Sequence, residues 1–118
     1  MRILKSKPFA RLTKKENISD NVLIEAAKDI AAGNIHASLG KFLVKQRVAP
    51  PGKGKSGSAR AVVVYVEGER VLFIYLFAKN AKSDLSPPEL EAFREAAKQL
   101  SLIGLDELVR SGEFTEVK

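Results

Sequence analysis

Residues 41–60 form the segment of the chain whose side chains could do chemistry on an anion. The segment carries six cations and no Asp or Glu, and the cations are Lys41, Lys45, Arg47, Lys53, Lys55 and Arg60. A block of one charge sign predicts an anionic partner. Apart from its lysines, the stretch from residue 50 to 58 contains only Pro, Gly and Ser, and such a backbone lets lysines approach a phosphate closely. The segment therefore predicts an RNA-phosphate site.

The first part of this segment, residues 41–48, alternates cations with apolar side chains. Successive side chains of a strand point to opposite faces. A strand here would have an apolar face with Phe42, Val44 and Val48, and a basic face with Lys41, Lys45 and Arg47. The basic face is predicted to contact RNA phosphates.

The length and composition of the chain predict one intracellular domain. With 118 residues, 45% of them hydrophobic, the chain can bury one core, and we expect a single domain over residues 1–118. The net charge is +6, and residues 1–82 hold 16 basic and 6 acidic side chains. There is no cysteine, no signal-peptide pattern and no apolar run long enough to span a membrane. We expect a cytoplasmic protein that binds nucleic acid and not a membrane.

Periodicity and capping signals predict an α+β order of elements. Strands are predicted at residues 2–5, 41–48, 60–66, 71–77 and 114–117, with a hairpin turn at 67–70. Helices are predicted at residues 8–16, 20–32, 87–100 and 106–110. Ser19 and Ser86 are the expected N-caps of the second and third helices. Because the strands at 60–66 and 71–77 are almost wholly apolar, we expect them at the centre of an antiparallel sheet.

Two shorter patterns do not support a cofactor or metal site. Gly52, Gly54 and Gly57 have the spacing of a dinucleotide-binding loop, but a strand is expected after them where that motif needs a helix. His36 is the one histidine of a chain without cysteine, so a zinc site would depend almost wholly on carboxylates. We interpret His36 as a solvated loop residue.

The order of several motifs resembles the RelE/HigB-like toxins of type II toxin-antitoxin systems. The motifs are KQRVAPPGKGKSG at residues 45–57, Arg60, FAKN at residues 77–80 and the closing GEFTEV at residues 112–117. The resemblance implies a small α+β fold, in which helices pack on one face of an antiparallel sheet and the other face carries a basic concave site. It also implies an endoribonuclease, an mRNA interferase that cuts mRNA on the translating ribosome and arrests growth. A cognate antitoxin, expected to be a small DNA-binding protein from an adjacent gene, would hold it inactive.

RNA carries its own nucleophile, and this decides what the side chains must do. A deprotonated 2′-OH can attack the adjacent phosphate, so we expect neither a metal nor a cofactor. The reaction then needs a base, positive charge at the phosphorane and an acid for the departing 5′-oxygen. Lysine loses its proton more readily when other cations crowd it. We therefore interpret Lys55 as the base or the acid and Lys53 as the group that positions the substrate.

The other cations have simpler expected roles. Arginine stays protonated and binds phosphate through two parallel hydrogen bonds, so Arg60 is predicted to stabilise the transition state. Lys79 follows the third predicted strand and could reach the same rim. Some related toxins place a tyrosine near the start of the last long helix, where this chain has Ser86, and the identity of the general base stays open. The RNA-binding candidates are Lys41, Lys45, Arg47 and Lys82.

Two other functions are compatible with the same residues. The first is a non-catalytic nucleic-acid-binding module, in which the cations contact phosphates and nothing is cleaved. The second is a ParE-like toxin that inhibits gyrase. The PGKGKSG loop favours RNA cleavage over gyrase inhibition.

Overall fold

A computed structural model describes residues 1–49, 59–78 and 84–118. The helices are α1 (Lys7–Lys15), α2 (Asp20–Ala31), α3 (Pro87–Leu100) and α4 (Leu105–Arg110). The strands are β1 (Arg2–Ser6), β2 (Ala37–Gly40), β3 (Leu43–Val48), β4 (Ala59–Val66), β5 (Arg70–Ala78) and β6 (Phe114–Glu116). Within these described ranges, no helix is both long enough and apolar enough to cross a membrane.

The six strands form one sheet in the order β2-β3-β4-β5-β1-β6. The β4–β5 hairpin lies at its centre, as predicted, because its strands have the β-branched and aromatic side chains that pack well on a pleated surface. One pairing differs from the expected antiparallel sheet: β1 runs parallel to β5, with Arg2 opposite Arg70 and Leu4 opposite Leu72. The apolar pattern of a strand does not encode its direction, so the sequence did not reveal the parallel pair.

Helices cover both faces of the sheet. On the first, Phe9 of α1 and Leu23 of α2 pack with Val63 and Phe73. On the second, Ala97 of α3 and Leu108 of α4 share a cluster that includes Leu72 and the partly buried Phe93. We call these the α1–α2 face and the α3–α4 face.

The α+β class is confirmed, but the expectation that helices pack on one face only was wrong. Residues 59–64 of β4 are all buried, so this strand presents apolar side chains to both sides. A face made of Val62 and Val64 must be covered as much as one made of Val63, since each fully buried Val contributes about 1.5–3 kcal/mol relative to an exposed one. Two layers of helices meet that requirement.

The start of the basic strand also differs from the expected boundary. Lys41 and Phe42 lie in the turn between β2 and β3, and the strand begins at Leu43. Phe42 has a φ of 61°, a left-handed conformation that is uncommon for a bulky residue and ends the extended chain there. The strand β2, which pairs with β3, was not predicted because its four residues, ASLG, are too short and too mixed to show a period.

Capping signals located α3 accurately. The Ser86 side chain accepts a hydrogen bond from the Glu89 backbone N–H, the Glu89 side chain accepts one from the Ser86 N–H, and proline follows the cap. Ser19 precedes α2 as predicted, although its side chain makes no capping hydrogen bond. The start of α3 is therefore specified locally, and this helix end lies near the site described below.

Arg70 ties the centre of the sheet to the other end of α3. This first residue of β5 is 6% exposed. Its Nη1 donates hydrogen bonds to the carbonyl oxygens of Leu100 at 2.8 Å and Ile103 at 2.5 Å. The last carbonyls of a helix have no partner within the helix, so a buried guanidinium is an effective cap. The contact fixes the C-terminal end of α3 against the sheet.

We predict that Arg70→Met lowers the free energy of unfolding by about 2 kcal/mol, since hydrogen bonds to a charged donor are lost and the carbonyls are left in a poorly hydrated place. Urea denaturation followed by circular dichroism measures the change. The matched control is Arg110→Met on exposed α4, for which we expect a change within about 0.5 kcal/mol. Equal loss of stability in both variants would contradict the capping role of Arg70.

Candidate nucleic-acid interface

The centre of the site is a pair of arginines on neighbouring strands. Arg47 of β3 stands directly opposite Arg60 of β4, which in turn stands opposite Phe77 of β5. Directly opposed side chains share a face of a sheet, and Phe77 belongs to the cluster of the α3–α4 face. Like charges placed opposite each other destabilise a sheet, and a bound anion would relieve that repulsion. The pair is therefore suited to a phosphate.

The two arginines differ in their contact with water. Arg47 is exposed, whereas Arg60 is 6% exposed. Burial lowers the pKa of Arg60, and the charge of Arg47 lowers it further. An arginine nevertheless keeps its proton throughout the physiological range. A positive charge held in a poorly hydrated place interacts more strongly with a developing negative charge than one in bulk water.

Lys45 lies next to the arginine pair on the same face, and it has an acidic partner. Its side chain is 12% exposed, and its Nζ lies 3.1 Å from Oδ1 of Asp84. The same oxygen accepts a hydrogen bond from the backbone N–H of Leu85 at 2.8 Å. The Leu85 hydrogen bond, followed by the one from Lys45, lowers the pKa of Asp84. Asp84 thus stays ionised at neutral pH and offsets one positive charge of the site.

Aromatic side chains support this part of the sheet. Tyr75 lies between two phenylalanine rings, with centroid distances of 6.1 Å to Phe77 and 5.4 Å to Phe93 of α3. Tyr75 is partly buried in the cluster of the α3–α4 face. Tyr75 is therefore a core aromatic, and its ring contacts pack β5 against α3.

His36 lies in a cleft with Arg47, which the sequence did not reveal. It immediately precedes β2, and its backbone N–H donates to Oε1 of the buried Gln46 at 3.0 Å. The Gln46 side chain also donates to the carbonyl oxygen of Asn34 at 3.0 Å, so it fastens this segment to β3. His36 and Arg47 line one surface cleft of about 670 Å³. His36 is exposed, as expected, but its place in the site is a property of strand pairing.

The electrostatics of the site act on His36. Partial removal from water lowers the pKa of its imidazole most, and the charges of Arg47, Arg60 and Lys45 lower it further. Asp84 acts in the opposite direction and raises it. The neutral imidazole is therefore favoured at neutral pH.

The structure brings together some of the predicted site residues and separates another. Arg47, Arg60 and Lys45 lie together on the α3–α4 face. That face also carries helices, so the basic site does not have a helix-free face of its own as expected. Lys41 lies at the other end of β3, in a cleft with Arg94 and Lys98 of α3. The strand β3 has six residues, so its two ends lie about 17 Å apart. Lys53, Lys55, Lys79 and Lys82 lie outside the described residues, and their roles stay predictions.

Comparison with known proteins gives one assignment. A family model described as the RelE toxin of the RelE/RelB toxin-antitoxin system matches residues 1–117. A search of the curated proteins found no match to the chain. The family match covers nearly every residue, including both strands that carry the arginine pair.

We predict that the imidazole of His36 titrates below its ordinary value and that its neighbours set the shift. Arg47→Gln removes a positive charge and should raise the pKa of His36, whereas Asp84→Asn removes a negative one and should lower it. Because the chain has one histidine, its imidazole signals in a proton NMR titration need no assignment. The control is Lys28→Gln, a change of an exposed side chain of α2, which should leave the titration of His36 unchanged. If the pKa of His36 were the same in both site variants as in the wild-type protein, Arg47 and Asp84 would not lie near the imidazole.

Proposed function

The chain belongs to the RelE toxin family, which implies a toxin-antitoxin system and an antitoxin partner, and on this premise we propose that it is a ribosome-dependent endoribonuclease. The proposed reaction is cleavage of mRNA by attack of a 2′-OH on the adjacent phosphate. The observation that carries the proposal is the pairing of exposed Arg47 with buried Arg60 across β3 and β4. Two guanidinium groups on one face suit a phosphate that gains negative charge during the reaction.

The proposed role of each residue follows from its burial and charge. Arg60 is held in a poorly hydrated place and would stabilise the phosphorane, because its charge and position exist before the reaction begins. Arg47 and Lys45 would bind neighbouring phosphates and set the register of the RNA. Within this proposal Lys55 acts as base or acid, Lys53 positions the substrate, and Lys79 and Lys82 extend the contact with the backbone.

The ribosome would supply orientation. The described part of the site is a group of cations at the end of a sheet, and cations bind phosphates without fixing the angle of attack. In-line attack of the 2′-oxygen requires a particular backbone geometry, and holding reactants in such a geometry supplies a large part of catalysis. An mRNA already bound in a translating ribosome presents a constrained backbone, so we expect cleavage there, in the cytoplasm.

The antitoxin would inhibit by charge and by apolar contact together. Acidic side chains facing Arg47 and Arg60 would speed its association and block the phosphate position. Charge complementarity alone gives a salt-sensitive complex, so lasting inhibition also needs a buried apolar anchor. We propose that the antitoxin is a small DNA-binding protein encoded by an adjacent gene, as the family resemblance implies.

We predict that purified protein cuts mRNA in translating ribosomes and leaves the same RNA intact when it is free. The product should end in a 2′,3′-cyclic phosphate or its hydrolysis product, because the nucleophile belongs to the RNA. Mapping of 5′ ends on a defined mRNA, with and without ribosomes, measures the first effect, and mass spectrometry of the products measures the second.

A matched RNA provides the control for this experiment. A single 2′-deoxy substitution at the cut site removes the nucleophile and should abolish cleavage there while the rest of the mRNA is unchanged. Products with a 5′-phosphate and a free 3′-OH would refute the mechanism. Growth arrest without mRNA cleavage would favour the ParE-like alternative.

We predict that Arg60 and Arg47 affect different kinetic steps. Arg60→Gln should lower the single-turnover rate at saturating protein by roughly 10²-fold, the scale of losing one preorganised donor. Arg47→Gln should weaken binding and reduce the slope of log affinity against log salt by about 0.7, the value for one phosphate contact of single-stranded nucleic acid.

Stability must be measured in parallel, because Arg60 is buried. Urea unfolding of both variants shows whether the loss of rate arises from unfolding, and Arg11→Gln on exposed α1 is the control for a surface charge. If both site variants lowered affinity alone and left the saturated rate unchanged, the non-catalytic binding module would replace the nuclease.

A further inference from the structure

We propose that His36 is the general base of this site and removes the proton from the RNA 2′-OH. The proposal rests on the proposed RNA cleavage and names the residue that starts it. It assigns a catalytic role to a side chain that lies in neither the cation-rich segment nor the lysine pair considered from sequence. The observations that carry it are the hydrogen bond that holds the His36 backbone and the cleft that His36 shares with Arg47.

The position of His36 follows from where β2 begins. Ala37 is the first residue of β2 and stands opposite Lys45, so His36 lies beyond the last paired position. Past this point the outer edge of β3 has no neighbouring strand among the described residues, and Arg47 lies on that stretch. His36 is thus at the corner where the sheet edge opens next to Arg47. A phosphate bound by the exposed Arg47 would lie in or next to the cleft that Arg47 shares with His36.

The segment that carries His36 is held by a specific contact. Gln46 is 5% exposed, and its side-chain amide uses both ends: the oxygen accepts from the His36 N–H and the nitrogen donates to the Asn34 carbonyl. A buried amide with both groups satisfied holds a loop more firmly than an exposed one, because breaking the contact would leave polar atoms without partners. The backbone of His36 is therefore positioned, while its exposed side chain is accessible to RNA.

The surrounding charges keep the imidazole in the form that a base requires. The charged groups near His36 are Arg47 and Lys45 of β3, Arg60 of β4, Asp84 before α3, and Asp29 of α2 on the wall of the cleft. The three cations disfavour the imidazolium, and Asp84 favours it. A neutral imidazole accepts a proton at neutral pH, whereas a lysine must first lose its own. Once RNA is bound, its phosphate would offset part of the cationic field and help His36 to hold the proton it takes.

All protons and bonds of the cleavage step are accounted for with water as the one additional reactant. The imidazole nitrogen takes the 2′-OH proton, the 2′-oxygen forms a bond to phosphorus, and the bond between phosphorus and the 5′-oxygen breaks. The departing 5′-oxygen takes a proton from water, so this scheme requires Lys55 neither as the base nor as the acid. The imidazolium then gives its proton to the hydroxide left behind, which restores the neutral base. The RNA fragment upstream of the cut ends in a 2′,3′-cyclic phosphate.

The test compares His36→Ala and His36→Asn with the wild-type protein in single-turnover cleavage of ribosome-bound mRNA. Both variants should lower the rate at saturating protein by about 10²-fold or more, the usual scale of general base catalysis, and leave ribosome binding unchanged. The wild-type rate should rise with pH and level off above the pKa of His36, and the variants should lack this rise. Added imidazole should restore part of the rate of His36→Ala. The control is Lys28→Ala, which changes an exposed side chain of α2 and should behave like the wild type.

The possible results separate this proposal from the proposed function. Wild-type cleavage combined with an unchanged rate and pH profile in His36→Ala overturns the role of His36 and leaves the endoribonuclease intact. A variant that loses ribosome binding but keeps its saturated rate also overturns it, since His36 would then be a binding residue. If the wild-type protein itself cuts no ribosome-bound mRNA, the endoribonuclease and the general base are refuted together.

Discussion

The rest of the structure depends on the burial of both faces of the β4–β5 hairpin. Val62 and Val64 point to one side of the sheet and Val63 and Phe73 to the other, and all four side chains are buried. Each face therefore requires its own layer, and α1 with α2 supplies one while α3 with α4 supplies the other. Burying one such side chain contributes about 1.5–3 kcal/mol, so no arrangement that leaves a face open could compete.

This packing also determines where a basic site can exist. Arg60 is the second residue of the buried run of β4 and lies on the face that α3 covers. The guanidinium is therefore largely removed from water, yet it lies at the strand end, beside exposed Arg47. A charge in the middle of β4 would cost several kcal/mol to desolvate. At the end of the strand the guanidinium lies beside the exposed Arg47, and in the proposed reaction it would stabilise a developing negative charge.

The local signals of the chain were reliable where one short stretch of residues specifies the structure. The capping box at Ser86, the β4–β5 hairpin and the short helix before Gly112 lie where the sequence placed them. The errors occurred where the structure of one segment depends on its pairing with another segment. Alternation placed Lys41 and Phe42 in the predicted strand, but both lie in the turn that lets β2 pair with β3.

The sequence by itself determined the α+β class, the basic character of the site and the toxin family, because these depend on composition, periodicity and the order of motifs. It also led to the prediction that Arg47 and Arg60 are site residues, although not that they face each other. Only the tertiary structure decided that helices cover both faces, that Asp84 offsets the charge of Lys45, and that His36 shares a cleft with Arg47. These facts depend on contacts between residues 10 to about 40 positions apart, such as Gln46 with His36 and Lys45 with Asp84. No local pattern records such contacts, since they follow from strand register and packing.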